Sequence, residues 1–143
     1  MSRALGYALP AVLWLAACAS APEATGIAGR YRHAGPVAAT LEVRRGAGRY
    51  LVRLEGGGAP QAGAASAADC VIAARGELDG AVLRARFAPV ETATFSYGAD
   101  QAAAEGRTIE ILFEPGAAEV LAADTFGYCG LGAEFAGRYQ AVD

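Results

Sequence analysis

Between residues 29 and 143, short runs in which every second residue is apolar alternate with glycine-rich breaks. A period of two is the pattern of a strand with one buried and one wetted face. Leu41 and Val43 alternate with Glu42 and Arg44, and Tyr50, Val52 and Leu54 alternate with Leu51, Arg53 and Glu55. Gly46-Ala47-Gly48 joins these two runs as a hairpin. Leu83, Ala85 and Phe87 alternate with Val82, Arg84 and Arg86; Asp79-Gly80 ahead of them carries a type I′ signal and predicts pairing of residues 69–77 with 81–88. Ile109, Ile111 and Phe113 alternate with Glu110, Leu112 and Glu114, and Pro115-Gly116 has the residues of a type II turn leading into a strand over 119–122. The pattern predicts an all-β domain of about eight strands, a small antiparallel meander closed or nearly closed as a barrel, with a β-sandwich as the alternative.

Two stretches interrupt the alternation. Residues 56–68 are small and low in complexity, a loop or a short Ala-rich helical turn, and residues 98–106 predict one or two helical turns capped by Asp100. The domain opens on Ala28-Gly29-Arg30-Tyr31 and closes on Ala136-Gly137-Arg138-Tyr139. If the first and last strands lie side by side, a Gly and a Tyr from each should meet, and the meander loses its exposed edges. The Gly-x-aromatic opening resembles, over a few residues, the first strand of lipocalin-like barrels.

The N-terminus has a different character. Arg3 precedes an apolar run from Ala4 to Ala17 that contains Gly6 and Pro10 and is too short and interrupted to span a bilayer. Leu15-Ala16-Ala17-Cys18 resembles the lipobox of bacterial lipoproteins. That resemblance implies cleavage before Cys18, a diacylglycerol thioether on its sulfur and N-acylation of the new terminus. Each buried methylene contributes about 0.8 kcal/mol, so two or three chains hold a protein at a membrane almost permanently. Ala19 in place of an Asp implies, by the same resemblance, sorting to the outer membrane of a Gram-negative envelope, with the periplasmic face favoured. The expected organisation is a signal peptide over 1–17, a lipidated Cys18 and flexible tether over 18–28, and the barrel over 29–143.

Committing Cys18 to lipid leaves Cys70 and Cys129 as an even pair in an oxidising compartment, and a disulfide between them is the natural expectation. All 12 basic residues are Arg, and Lys and Asn are absent, a compositional bias that argues against reading function into any single arginine. Charge is nonetheless uneven. Residues 19–90 hold nine Arg against six acids, and residues 91–143 hold two against nine. In one closed sheet the two halves should lie against each other and partly cancel; a polarised binding surface is the alternative. The acidic total and the absence of a basic run longer than Arg44-Arg45 argue against nucleic acid.

No catalytic constellation emerges. His33 is the single histidine, in the turn-like sequence Arg32-His33-Ala34-Gly35-Pro36, so no Ser or Cys nucleophile has a second candidate base. Glu110 and Glu114 share a solvated strand face and are expected to pair with Arg84 and Arg86. Gly130-Leu131-Gly132 lacks the third glycine and following helix of a dinucleotide site, and fits a tight backbone around Cys129. Nothing has metal-ligand spacing, and no cofactor is implied. Of Tyr97, Phe126, Tyr128 and Phe135, most are expected in the core, with about one in four at a ligand or partner surface. The leading expectation is a non-catalytic, lipid-anchored envelope protein whose barrel binds a protein or glycan partner. The alternatives are an inhibitor of a cell-wall hydrolase such as lysozyme and a carrier of a small hydrophobic ligand.

Overall fold

The computed structural model describes residues 26–58, 70–130 and 133–143. The expected signal peptide, Cys18 and most of the expected tether lie outside them, as do residues 59–69. Among the described residues ten strands and one helix follow in order: β1 (Gly29–His33), β2 (Ala38–Arg45), β3 (Tyr50–Gly58), β4 (Cys70–Asp79), β5 (Val82–Phe87), β6 (Val90–Glu91), β7 (Ser96–Tyr97), α1 (Ala99–Glu105), β8 (Thr108–Glu114), β9 (Ala117–Ala123) and β10 (Gly137–Val142). Eight of the strands form a closed barrel in the order β1-β2-β3-β4-β5-β8-β9-β10, with β10 returning to β1, and every neighbouring pair is antiparallel. The predicted meander is therefore closed, not a sandwich. The β6–β7 pair and α1 form an excursion between β5 and β8.

The alternation selects the core. Leu41, Leu54, Ile72, Leu83, Ile109 and Ile111 have no accessible surface, and Val43, Val52, Ala74 and Val120 have almost none. A void large enough for water would expose the side chains lining it, so the middle of the barrel is filled by its own residues. Aromatic rings stopper both ends. At one, Tyr31 meets Phe113 edge-on at 5.8 Å; at the other, Tyr128 is packed edge-on by Phe87, Phe95 and Tyr97, with centroids 4.8–5.2 Å apart.

The tight turns differ in detail from the sequence pattern. Asp79 pairs with Val82, so the β4–β5 loop is Gly80-Ala81. Only Gly80 has a positive φ, at 61°; the predicted type I′ turn needs two such residues, and one at the first central position matches type II′. Pro115-Gly116 behaves as expected of type II, with φ of 73° at Gly116. Gly98, not Asp100, occupies the N-cap of α1; Asp100 lies inside its first turn. Gly56 to Gly58 belong to β3 instead of a loop, beside a register shift at Ala38/Ala39.

The terminal echo acquires a different meaning. β1 and β10 do adjoin, but antiparallel, so Tyr31 faces Ala141 and Tyr139 faces His33; the matching residues stand apart. Each tyrosine instead repeats one local device. The Tyr31 hydroxyl donates to the Ile27 carbonyl and the Tyr139 hydroxyl to the Phe135 carbonyl, each over four residues and each at 2.8 Å. A buried phenol thereby satisfies its polar tip while fixing how the chain enters a barrel strand.

In a meander, sequence order is spatial order, and this reverses the expectation of charge cancellation. The arginine-rich β1–β5 and the acid-rich β8–β10 occupy opposite sides of the barrel and meet only at the β5–β8 and β10–β1 seams. Arg84 bonds Glu110 across the first seam at 3.1 Å. Glu114 pairs with Arg138 at 2.7 Å instead of with Arg86, because the antiparallel β5–β8 register sets Arg86 opposite Thr108, at the far end of β8, while β10 lies just beyond β9 on the other side.

Candidate functional site

The two ends of the barrel are unlike. One carries the turns at 46–49, 80–81 and 115–116, together with the entry of the chain at Gly29 and its exit after Val142. At the other end lie the connections over 34–37, 88–107 and 124–136. The described part of the last, residues 124–130 and 133–136, crosses the barrel mouth. The Tyr128 hydroxyl donates to the Val71 carbonyl at 2.9 Å, the Glu134 amide donates to the Gly57 carbonyl at 2.9 Å, and Cys129 is disulfide-bonded to Cys70 at the start of β4, with Cα atoms 5.4 Å apart. The expected Cys70–Cys129 bridge is thus present and ties the β9–β10 connection to the opposite wall.

Arg107, in the link between α1 and β8, organises this end. Its side chain is only 14% exposed and donates to the carbonyl of Phe126 at 2.6 Å, to the carbonyl of Asp124 at 3.1 Å, to the Asp124 carboxylate at 3.3 Å and to the Glu105 carboxylate. The guanidinium also stands 5.7 Å from the centre of the Tyr128 ring. That Arg107 hydrogen bond holds the Glu105 carboxyl below the usual carboxylate range, helped by Gln101. These contacts fix the turn at 124–129 and leave Phe126 91% exposed. Tyr97, Tyr128 and Phe135 are buried, so one aromatic in four is displayed. An exposed aromatic ring carried on a backbone already ordered costs little backbone entropy on burial against a partner.

His33 closes β1 and is half-buried rather than free in a turn. Its Nδ1 accepts from the Gly35 amide at 3.0 Å, its Nε2 lies 3.3 Å from the Ala136 carbonyl, and its ring meets Tyr139 at 4.9 Å. Through these contacts the ring is a structural link between β1 and β10. Among the described residues no three His, Cys, Asp or Glu side chains converge as for a metal ion. Glu110 and Glu114 are each engaged by an arginine on the outer wall. Leu131 and Gly132 lie outside the described residues.

Two features of this end were not singled out by the sequence. Arg107 looks like any other arginine, and Phe126 looks like its buried neighbours. The one available signal was Thr125-Phe126-Gly127, an aromatic between turn formers just before a bridged cysteine.

Burial pushes the Tyr128 phenol up to about 12, with Tyr97 adding to the shift, and burial also raises the Tyr139 phenol. A phenol that ionises near 10 when unfolded and later when folded stabilises the fold below pH 10, and that contribution is lost as pH rises from about 10 towards 12. In an alkaline titration followed by phenolate absorbance, Tyr128 and Tyr139 should ionise together with cooperative unfolding. One transition of all tyrosines near pH 10 in a folded chain would contradict this packing.

No protein-family model, no curated protein and no solved structure matches this chain.

Proposed function

We propose that this chain is an exported outer-membrane lipoprotein, anchored through an acylated Cys18, whose non-catalytic barrel binds an envelope protein or glycan with the end bearing Phe126. The observation that carries this reading is the direction of the molecule. The chain enters at the tight-turn end, so a lipid on Cys18 would hold that end within at most about 40 Å of the bilayer. The bridged, long-connection end then faces away from the membrane, displaying the exposed Phe126. A disulfide between the two remaining cysteines suits an oxidising compartment.

A second reading, inhibition of a cell-wall hydrolase such as lysozyme, draws support from the acid-rich β8–β10 side, which would complement a basic enzyme. The carrier reading draws none from an interior whose central side chains have no accessible surface.

Cross-linking of the acylated chain in its own envelopes, followed by capture, tests the proposal. Wild type should recover a stoichiometric partner, and Phe126→Ala should cut recovery about tenfold or more while leaving the thermal transition unchanged. Recovery of nothing, equal recovery by the variant, or an intact mass showing an unmodified Cys18 thiol would each refute a part of it. Unchanged lysozyme turnover in excess protein would remove the second reading.

A further inference from the structure

We propose that Arg75 and Arg86 form a binding site for a phosphate monoester on the outer wall of the barrel, independent of the end bearing Phe126. The two residues are direct partners in the β4–β5 pair and both point outward into water. Like charges placed directly opposite each other on a sheet face are destabilising. Among the described residues neither has a carboxylate within ion-pair distance.

The charges around the pair are committed elsewhere. Arg75 and Arg86 line an open groove of about 440 Å³ that also takes in Arg49, Arg84 and Thr108. Its three carboxylates are already engaged: Glu77 by Arg49 at 3.4 Å, and Asp79 and Glu110 by Arg84 at 3.6 and 3.1 Å. The groove thus holds four guanidiniums against three carboxylates, a net charge of +1, and Arg75 and Arg86 are the two without an ion pair; Thr108 is the register partner of Arg86 and able to donate from its hydroxyl.

Two unpaired guanidinium forks side by side match an anionic ligand with several acceptor oxygens. A phosphate monoester carries a charge of nearly −2 at neutral pH and three acceptor oxygens, whereas a single carboxylate has only two oxygens to share between two forks. The groove is a surface feature, so the monoester can belong to a larger molecule, either a lipid headgroup or a phosphorylated sugar.

The test uses the purified full-length chain in neutral detergent micelles, with inorganic phosphate, glucose 1-phosphate and short-chain phosphatidate as probes. Each variant is first checked by its thermal transition without probe; Arg75→Gln and Arg86→Gln should unfold no earlier than wild type, since each relieves the opposed charges. Inorganic phosphate should raise the wild-type Tm, and either variant should lose about tenfold or more in phosphate affinity. Arg45→Gln, at an exposed arginine outside the groove, should retain wild-type affinity. Tighter binding of phosphatidate than of glucose 1-phosphate identifies a lipid headgroup as the source, and the reverse identifies a sugar. Binding of none of the three probes, or equal loss in Arg45→Gln, overturns the proposal.

Discussion

Removing the Cys70–Cys129 bond by the double substitution Cys70→Ala with Cys129→Ala is expected to lower stability by about 4 kcal/mol. The bond joins residues separated by 59 positions, and closing so long a loop restricts the unfolded chain strongly. For a domain of this size the whole margin is about 5–15 kcal/mol, so the loss removes from about a quarter to most of it. The folded state itself should change little. Tyr128 still bonds the Val71 carbonyl, Glu134 still bonds Gly57, and Arg107 still holds the turn at 124–129. The stability therefore disappears through the freed unfolded chain, and urea melts should show both a lower midpoint and a steeper m. A loss under about 1 kcal/mol would mean that non-covalent contacts fix the crossing loop in the unfolded ensemble as well.

The wall of the barrel was legible in the sequence because period-two burial needs no knowledge of partners. Leu41, Val43, Val52, Leu54, Leu83, Ala85, Ile109, Ile111 and Phe113 all face inward as the alternation requires. Periodicity reports which face a residue occupies, but not the residue it opposes. Hence Glu114 met Arg138 instead of Arg86, and the two terminal Gly-Arg-Tyr segments adjoin without meeting. The disulfide was legible by parity of cysteines, given the lipobox reading. The candidate site was not, because exposure of Phe126 depends on Arg107, a residue 19 positions earlier that reaches its carbonyl only once β8 and β9 have paired. Charge polarity was written plainly in the residue order; its consequence depended on topology, since a meander keeps the two halves apart where interleaved strands would have mixed them.

Gly76→Ala is expected to destabilise the barrel by roughly 3 kcal/mol or more, although it adds a single methyl to a strand. Gly76 occupies an inward position in β4, paired with Ala85 of β5. A Cβ there would stand 2.0 Å from the Arg84 carbonyl oxygen and 2.5 Å from the Ala85 Cα. Both are backbone atoms, so no rotamer change relieves the clash and the two strands must move apart. Glycine inside a strand commonly marks such a close approach of two backbones in a tightly curved sheet. The displacement would strain the flanking inward pairs, Ala74 with Phe87 and Leu78 with Leu83, which form part of the core. Gly98→Ala supplies the reference, since nothing lies within 4 Å of its Cβ position and its φ is −78°. There the gain from a less flexible unfolded chain and the loss at the N-cap of α1 should nearly cancel. Urea melts of the two variants should therefore diverge widely, with amide exchange in Gly76→Ala accelerated first along β4 and β5. Equal stability within about 0.5 kcal/mol would show that the β4–β5 wall yields without cost, and that its tight curvature is not what closes the barrel.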